Sequence, residues 1–375
     1  MPILDIKEIQ ALVKRDEIAA LTLDTSIFDQ FGCNLDFRSL TALEQFKNTD
    51  VHVLLSRITV EEVKGHLARD ARESAEKARA GINQFNKAWQ LGLDLVATLK
   101  QLGIGRDPAQ RAAELMDAYM SRIGAKLVDV EPDVSVRELV RLYFSAEPPF
   151  SSKAAKKSEF PDAIALLSLE AWARRRGSVL VVSKDKDWAA FAAASDNLIL
   201  VTDLKQALNL FNAASSVVAK RVATLYRSGD APALVRALER ALERHVEEFN
   251  VEATADFIFE DEPIHSALLR WNLADGSDFD VVDSDEDSVS LGIDIELEAE
   301  FRATFSFSVR DSIDKDYIPM GSTRPLITEM LTVPILITLP KEMGEDPEPE
   351  EVQVEQQHPT IDFGHVEPDW YHERD

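Results

Sequence analysis

The stretch FPDAIALLSLEAWARRRGSVLVVSKDKDWAAFAAASDNLILV, residues 160–201, alternates helix-like and strand-like patterns. Pro161 suits the first turn of a helix and Gly177 suits its end. Residues 178–183 and 197–202 are short runs that are almost continuously apolar, with a helical segment between them. Strands that are apolar on both faces and alternate with helices indicate a parallel sheet covered by helices on each side.

The same alternation continues towards the N-terminus. A helix is predicted over residues 5–18, followed by the apolar run ALTLDTSIF at 20–28, a helix near 38–46 and a second apolar run, VHVLLSRITV, at 51–60. A long charged helix follows, and residues 107–144 read as helical apart from breaks near Gly124 and Pro132. The sequence therefore predicts a doubly wound α/β domain over residues 1–215, with a helical insertion from about Arg72 to Glu147.

The pattern changes after about Ser215. A helix with Pro232 in its first turn leads into a region in which every odd position from Val289 to Val309 is apolar. This period of two predicts antiparallel sheet with one solvated face, and the segments VEATADFIF, IHSALLRW and LTVPILITL are expected to add strands. Pro334 favours an edge position for the last of them. We predict a smaller α+β accessory domain of unknown role over 216–341 and a disordered acidic tail over 342–375.

Four acidic residues stand at the predicted strand ends of the first domain. Asp24 follows the first strand, Glu62 opens the helix after the second, Asp162 starts the helix before VLVVS, and Asp185 follows that strand. Ligands of doubly wound sheets bind outside the carboxyl ends of the strands. Clustered carboxylates repel one another unless cations neutralise them, and oxygen-only clusters suit Mg²⁺ or Mn²⁺. Two such ions roughly 3.5 to 4 Å apart can promote phosphodiester cleavage.

Four motifs, LTLDTSIF, ITVEEV, EFPDAIALLSLE and VLVVSKDKDW, resemble in order and spacing the acidic motifs of the PIN-like domain nuclease superfamily. The resemblance spans roughly Leu21 to Leu210. The chain is similar in particular to the larger bacterial PIN-like proteins that carry an extra C-terminal region. It implies a metal-dependent endoribonuclease that cleaves RNA, with metal-binding and catalytic acids at Asp24, Glu62, Asp162 and Asp185. It also implies a role as a toxin or defence nuclease. The long insertion departs from the compact family pattern and puts substrate access in question.

Two assignments stay open within the motifs. Glu61 competes with Glu62, which the family pattern of acid then aliphatic residue favours, and Asp187 competes with Asp185. We place Asp185 at the strand end and Asp187 as a further metal-site residue or helix N-cap. The substrate-binding candidates are hydroxyl neighbours of the metal site and basic residues able to contact phosphates: Thr25, Ser26, Ser183, Lys153, Lys156, Lys157, Lys184 and Lys186. The run Arg174–Arg176 is instead expected to stabilise a helix C-terminus.

The charge is divided unequally along the chain. The net charge is −26, yet residues 1–220 hold 29 Lys and Arg against 30 Asp and Glu, which leaves 12 against 37 for the remainder. The first half can therefore approach RNA, or single-stranded DNA, whereas the acidic half would repel either. The acidic even positions near Asp294–Glu300 read as a solvated face or as a docking face for a basic protein partner. Alternatively, this face could dock the basic loop before Asp162, which carries Lys153, Lys156 and Lys157, and so inhibit the first domain. Phe363, Trp370 and Tyr371 suggest a recognition peptide in the tail.

Cys33 is the only cysteine, which excludes an internal disulfide and a multi-cysteine zinc cluster. A metal is therefore expected on oxygen or histidine. Charges at the N-terminus and the lack of a long apolar run predict a cytoplasmic protein without membrane contact. Alternative functions are a single-stranded or flap DNA nuclease on the same scaffold, or a non-catalytic PIN-like protein-binding module.

Overall fold

The computed structural model describes residues 5–130, 134–150, 159–212, 215–261, 265–310, 317–356 and 360–369. The chain divides into two compact units, Met1–Phe211 and Asn212–Asp375. Among the helices in these described ranges, none combines the length and the apolar character needed to cross a bilayer.

The first unit contains a five-stranded parallel sheet, which confirms the predicted α/β architecture. Its strands are β1 Ile18–Leu23, β2 His52–Ser56, β3 Lys126–Val128, β4 Ser178–Val182 and β5 Leu198–Val201, arranged in the order β3-β2-β1-β4-β5. Residues of β1 and β4 such as Leu21, Leu23 and Val181 are completely buried. Such burial on both faces explains why these strands read as continuous apolar runs.

The strand order places a topological switch point between β1 and β4. From β1 the chain moves outward to β2 and β3 on one side of the sheet, and it later returns through β4 and β5 on the other. Crossovers that leave in opposite directions open a crevice at the carboxyl ends of the two central strands, which is where ligands of doubly wound sheets bind.

Helices surround this sheet. They are α1 Ile6–Lys14, α2 Thr25–Gln30, α3 Arg38–Thr41, a 3-10 turn Ala42–Phe46, α4 Arg57–Trp89, α5 Leu95–Gln101, α6 Pro108–Ile123, α7 Val136–Ser145, α8 Phe160–Arg176, α9 Lys186–Ala194 and α10 Leu204–Phe211. One cluster under the sheet combines Leu166, Leu169 and Trp188 with Val179 and Val181 of β4. It fixes α8 and α9 against the strands whose ends carry the candidate acids.

The insertion is not wholly helical, and the prediction was wrong at one point. β3 lies inside it and pairs in parallel with β2, with Leu55 opposite Leu127. α6 ends at Gly124, which has a φ of 66°, so the predicted break there is present. β3 has only three residues, too few for a strand period to be visible in the sequence between two helices.

The second unit is an α+β structure. In the part of this unit that the structure describes, the helices α11 Ser216–Ser228 and α12 Pro232–Glu247 precede ten strands: β6 Asn250–Thr254, β7 Ile258–Asp261, β8 His265–Leu273, β9 Asp280–Ser284, β10 Ser288–Arg302, β11 Phe305–Arg310, β12 Tyr317–Thr323, β13 Leu326–Pro340, β14 Glu351–Val354 and β15 Thr360–His365. The main sheet runs β14-β13-β10-β8, with β9 also paired to β10. Odd positions from Val289 to Phe307 are at most 2% exposed, which confirms the predicted buried face over this range, whereas Val309, the last position of the series, is 39% exposed.

Residues 342–356 and 360–369, which the structure describes, include two strands where the composition predicts a disordered tail. β14 pairs with β13, and β15 pairs in parallel with β6. Ile361 and Phe363 are buried, and the Phe363 ring centroid lies 5.6 Å from that of Phe305. These few apolar side chains gain burial only through pairing with distant strands, which local composition does not reveal.

The burial of β15 also bears on the recognition peptide predicted in the tail. Phe363 packs in the core, so it is not available as part of an exposed recognition peptide, and Trp370 and Tyr371 lie outside the described residues.

The edge position predicted from Pro334 is also wrong. β13 pairs on one side with β10 and on the other with β14, and the Pro334 carbonyl accepts a hydrogen bond from the Glu355 N–H at 2.8 Å. The missing N–H of Pro334 is tolerated because it lies where the pairing with β14 ends.

Candidate active site

Asp24 lies at the carboxyl end of β1 and joins the two central strands. Its backbone N–H donates to the Val182 carbonyl at the end of β4, at 3.0 Å. Its Oδ1 accepts from the Thr25 N–H at 2.6 Å, while Oδ2 accepts from the hydroxyls of Ser26 at 2.6 Å and Ser183 at 2.8 Å. The residue is only 5% exposed. Its carboxylate is therefore fixed in position by both strands and by the start of α2.

The turn after β4 places Asp185 beside this group. The Ser183 hydroxyl, which donates to Asp24, accepts from the Asp185 N–H at 3.0 Å. Asp185 Oδ1 accepts in turn from the backbone N–H groups of Asp187 at 2.6 Å and Trp188 at 3.2 Å. Asp185, and not Asp187 as predicted, is thus the N-cap of α9. Asp185 can act as the cap because it directly precedes the first helical residue, and from there its carboxylate reaches the backbone N–H groups of the first turn, which have no partner within the helix.

Glu62 is directed to the same place from α4. The Thr25 hydroxyl donates to Glu62 Oε2 at 2.6 Å, which connects the first turn of α2 to the start of α4. Glu61 is instead exposed, and its carboxylate lies 3.3 Å from the Lys64 ammonium. Adjacent helical residues point in directions about 100° apart, so only one of the two acids can face Thr25.

Asp162 lies in the first turn of α8. Its Oδ1 accepts from the Trp188 indole N–H at 2.8 Å. Burial raises the pKa of Asp162 to about 6, and the negative charges of Asp24, Glu62 and Asp185 add to the rise despite the bond from Trp188. Burial likewise raises the pKa of Asp24, although its hydrogen bonds oppose the change. Four acids separated in sequence therefore share one electrostatic environment.

The donor set suits a hard divalent cation. It consists of carboxylate oxygens with hydroxyl groups beside them, the ligand type that Mg²⁺ and Mn²⁺ prefer. The raised pKa of Asp162 records a repulsion that a bound cation would relieve. The residues present therefore fit such an ion.

The predicted basic residues are distributed unevenly. Lys184 and Lys186 are exposed on either side of Asp185. The backbone N–H of Lys184, and not its ammonium group, donates to the Ser26 hydroxyl at 3.2 Å. Lys153, Lys156 and Lys157 lie outside the described residues.

The arginine run belongs to the other end of α8, where Gly177 leads into the start of β4. There the Arg174 guanidinium lies 3.0 Å from the Glu170 carboxylate, and the Arg176 guanidinium lies 5.8 Å from the centroid of the Trp172 ring. These arginines lie away from the carboxyl ends of the strands.

Two features were missed by the sequence reasoning. Trp188 donates to Asp162 from the first turn of α9, a role that its position after Asp185 in SKDKDW signals only once the helix start is known. Cys33, for which no partner was predicted, contacts His66 and Asp29. Burial and the adjacent Asp29 carboxylate raise the pKa of Cys33 to about 12.

Comparison with known protein families agrees with this geometry. A family model described as a PIN domain matches residues 21–188. The match begins in β1, ends at Trp188 and includes all four acids. Comparison with curated proteins and with solved structures gives no significant match. Residues 21–188 therefore match a PIN domain, and this match supports the resemblance of the first unit to the PIN-like domain nuclease superfamily.

Proposed function

We propose that this protein is a divalent-metal-dependent endoribonuclease. One observation carries the proposal: the Asp24 carboxylate is buried at the switch point of the sheet, held by the hydroxyls of Ser26 and Ser183, with Glu62, Asp162 and Asp185 around it. Asp24 is buried and the other three acids are partly buried. Crowding acids in such a site is costly, and in a purely structural role apolar side chains would fill the same space at lower cost. The arrangement is therefore best explained by a cation that acts in catalysis.

The chain's own residues divide into two roles in this proposal. Asp24, Glu62, Asp162 and Asp185 would hold Mg²⁺ or Mn²⁺, with Asp187 as a further acid at the rim. A divalent ion bound there would supply an activated water and stabilise the leaving oxygen of the phosphodiester. The hydroxyl groups of Thr25, Ser26 and Ser183 orient the acids, because each donates a hydrogen bond to Glu62 or Asp24.

Substrate contact is assigned to the basic residues. The exposed Lys184 and Lys186 flank Asp185, so their ammonium groups can meet the phosphates on either side of a scissile bond. We assign the same role to Lys153, Lys156 and Lys157 from the sequence. Because this local positive charge is modest, we propose a flexible single strand as the substrate, which can bend to reach acids at a recessed strand end.

The preference for RNA follows from the family resemblance, as does a cytoplasmic role as a toxin or defence nuclease. Single-stranded or flap DNA is the alternative substrate class on the same scaffold. A PIN-like module that only binds protein is disfavoured, because such a module has no use for four crowded acids.

The substrate class can be tested with the purified full chain and labelled oligonucleotides of one sequence, supplied as single-stranded RNA, single-stranded DNA and the two duplexes. We expect single-stranded RNA to be cut at least ten times faster than DNA with Mg²⁺ or Mn²⁺, and not in EDTA. A circular RNA distinguishes internal cleavage from digestion at an end, and it should be opened. Faster cleavage of DNA would contradict the RNA assignment while leaving the nuclease assignment intact.

A further inference from the structure

A second group of metal-ligating side chains lies next to the carboxylate site but is not part of it. Asp29 is on α2, Cys33 is in the turn that follows, and His66 is on α4. Nδ1 of His66 is 2.7 Å from Asp29 Oδ1, and the Cys33 sulfur is 3.6 Å from the same oxygen and 3.8 Å from that nitrogen. One ligand atom from each residue thus lies within 4.8 Å of the others.

The arrangement differs from a nucleophilic triad. In such a triad the acid bonds to one imidazole nitrogen and the nucleophile to the other, so that the ring takes the nucleophile's proton while the acid holds the ring in position. Here both Asp29 and Cys33 face Nδ1 of His66. Three ligand atoms of these types that lie within 4.8 Å of one another can instead bind a single metal ion.

The spacing also fits a tetrahedral ion. With bonds of about 2.3 Å to sulfur and 2.0 to 2.2 Å to nitrogen and oxygen, neighbouring ligand atoms lie roughly 3.4 to 3.6 Å apart. The two distances from the Cys33 sulfur are close to these values. The shorter distance between His66 and Asp29 is that of a hydrogen bond, which metal binding would replace by moving the exposed Asp29 carboxylate by less than 1 Å.

We propose that Asp29, Cys33 and His66 form a second cation site, which binds a zinc-type transition metal and leaves a fourth position open to solvent. Thiolate and imidazole select such ions over Mg²⁺, whereas the carboxylate site has the opposite preference. Cys33 is 4% exposed, while the side chains of His66 and Asp29 are 29% and 51% exposed, so the open position faces outward. Binding releases the thiol proton to solvent, and the neutral imidazole of His66 binds through Nδ1 with its ring proton on Nε2.

The position of the site suggests what it does. Asp29 is one helical turn beyond Thr25 on α2, and His66 is one turn beyond Glu62 on α4. An ion bound to Asp29, Cys33 and His66 would therefore link the two helices whose first contact is the hydrogen bond from Thr25 to Glu62. We assign it a structural role, holding these helices together.

Cobalt titration of the full chain gives a direct test, because Co²⁺ replaces zinc and its bond to a thiolate absorbs in the near ultraviolet. With excess Mg²⁺ present, we expect one equivalent of Co²⁺ to produce this absorption and Zn²⁺ to abolish it. Cys33 is the only cysteine, so any thiolate band reports this site alone. Cys33→Ser should lose the band, and His66→Gln should weaken Co²⁺ binding by at least tenfold.

Two variants serve as controls. Asp24→Asn should keep the thiolate band, because it changes only the carboxylate site. His365→Gln, in the exposed cluster Asp256, His365 and Glu367, should keep it as well. Zn²⁺ should also raise the Tm of the wild-type protein by a few degrees and that of Cys33→Ser by less.

The wild-type titration decides the question even if a variant fails to fold. Absence of a thiolate band at saturating Co²⁺ would overturn the proposal and leave the cluster as a hydrogen-bonded contact between helices. An equal Zn²⁺ effect on the Tm of the wild-type protein and of folded Cys33→Ser would overturn it too.

Discussion

At the residue scale, Asp162 gives the site its clearest dependence on pH. Its pKa is about 6 in the folded chain, against an ordinary value of 3.8. Because the folded-state value is the higher one, the carboxyl group favours folding below pH 4, and this contribution is lost as the pH rises through about 6. The metal-free protein should therefore melt at a higher temperature at pH 5.5 than at pH 7.5.

The variant Asp162→Asn tests whether Asp162 causes this pH dependence of the Tm. The amide oxygen can still accept from Trp188 but cannot become charged, so the variant should lose this part of the pH dependence of the Tm in EDTA. Mg²⁺ should raise the wild-type Tm more at pH 7.5 than at pH 5.5. If wild type and variant show the same pH dependence, Asp162 does not experience the repulsion described.

At the scale of the element, the turn after β4 carries two of the acids through one hydroxyl. Ser183 is fully buried, donates to Asp24 and accepts from the Asp185 N–H. Ser183→Ala should reduce kcat by about 10- to 100-fold, as loss of a group that orients metal ligands commonly does. KM for RNA should change little, because Ser183 positions the acids and does not hold phosphate.

A matched serine provides the control. Ser168 is equally buried, but its hydroxyl donates only to the Ile164 carbonyl within α8. Ser168→Ala should leave kcat near the wild-type value. A large rise in KM with unchanged kcat for Ser183→Ala would instead restore Ser183 as a substrate-binding residue.

β15 provides a prediction about stability. Phe363 is 8% exposed and packs against Phe305. Phe363→Ala should lower the free energy of unfolding by about 3 kcal/mol, as for other truncated core aromatics. Thr360→Ala, at the exposed start of the same strand, should change it by less than about 0.5 kcal/mol. Equal denaturation midpoints for the two variants would mean that the segment is the disordered tail predicted from composition.

The elements differ in how far the sequence reveals them. β1, β2 and β4 are predicted because burial on both faces requires several apolar residues in succession, and β10 because alternate residues are buried along its length. β3 and β15 are not predicted. Each is short, and each becomes a strand only by pairing with a partner far along the chain, which a local pattern does not contain.

The same distinction applies to the site. Acids at strand ends are predictable, because parallel strands all finish at one edge of the sheet. The bond from Thr25 to Glu62, the indole donor Trp188 and the cluster of Asp29, Cys33 and His66 depend on how helices pack. Such packing is set by the whole core, so the sequence places Thr25 near the acids without showing which of them it contacts, and it gives no signal for the cluster.

At the scale of the whole molecule, the charge asymmetry has a consequence for RNA binding. Residues 212–375 contain 13 Lys and Arg but 37 Asp and Glu. Deleting them should strengthen RNA binding and raise cleavage, because a strongly negative field opposes the approach of a polyanion. The gain should be largest at low salt and shrink near 0.1 M, where the Debye length is about 10 Å.

Circular dichroism and cooperative melting must first establish that residues 1–211 fold alone. Kd and turnover on labelled RNA are then compared at two salt concentrations. Equal values for a folded truncation and the full chain at low salt would exclude both electrostatic repulsion and autoinhibition by the acidic half.

The proposed role of Asp24 and its neighbours is to hold a divalent cation for the cleavage of RNA. It is tested most directly by cleavage of labelled single-stranded RNA by wild type and Asp24→Asn, purified identically, with Mg²⁺ or with EDTA. Wild type should cut only with Mg²⁺, and the variant should be slower by about 10²- to 10³-fold, since loss of one group that stabilises the transition state commonly costs this much. The metal-free variant should melt no lower than wild type, because it removes a buried charge. Equal cleavage by the variant, or cleavage that persists in EDTA, would contradict the account.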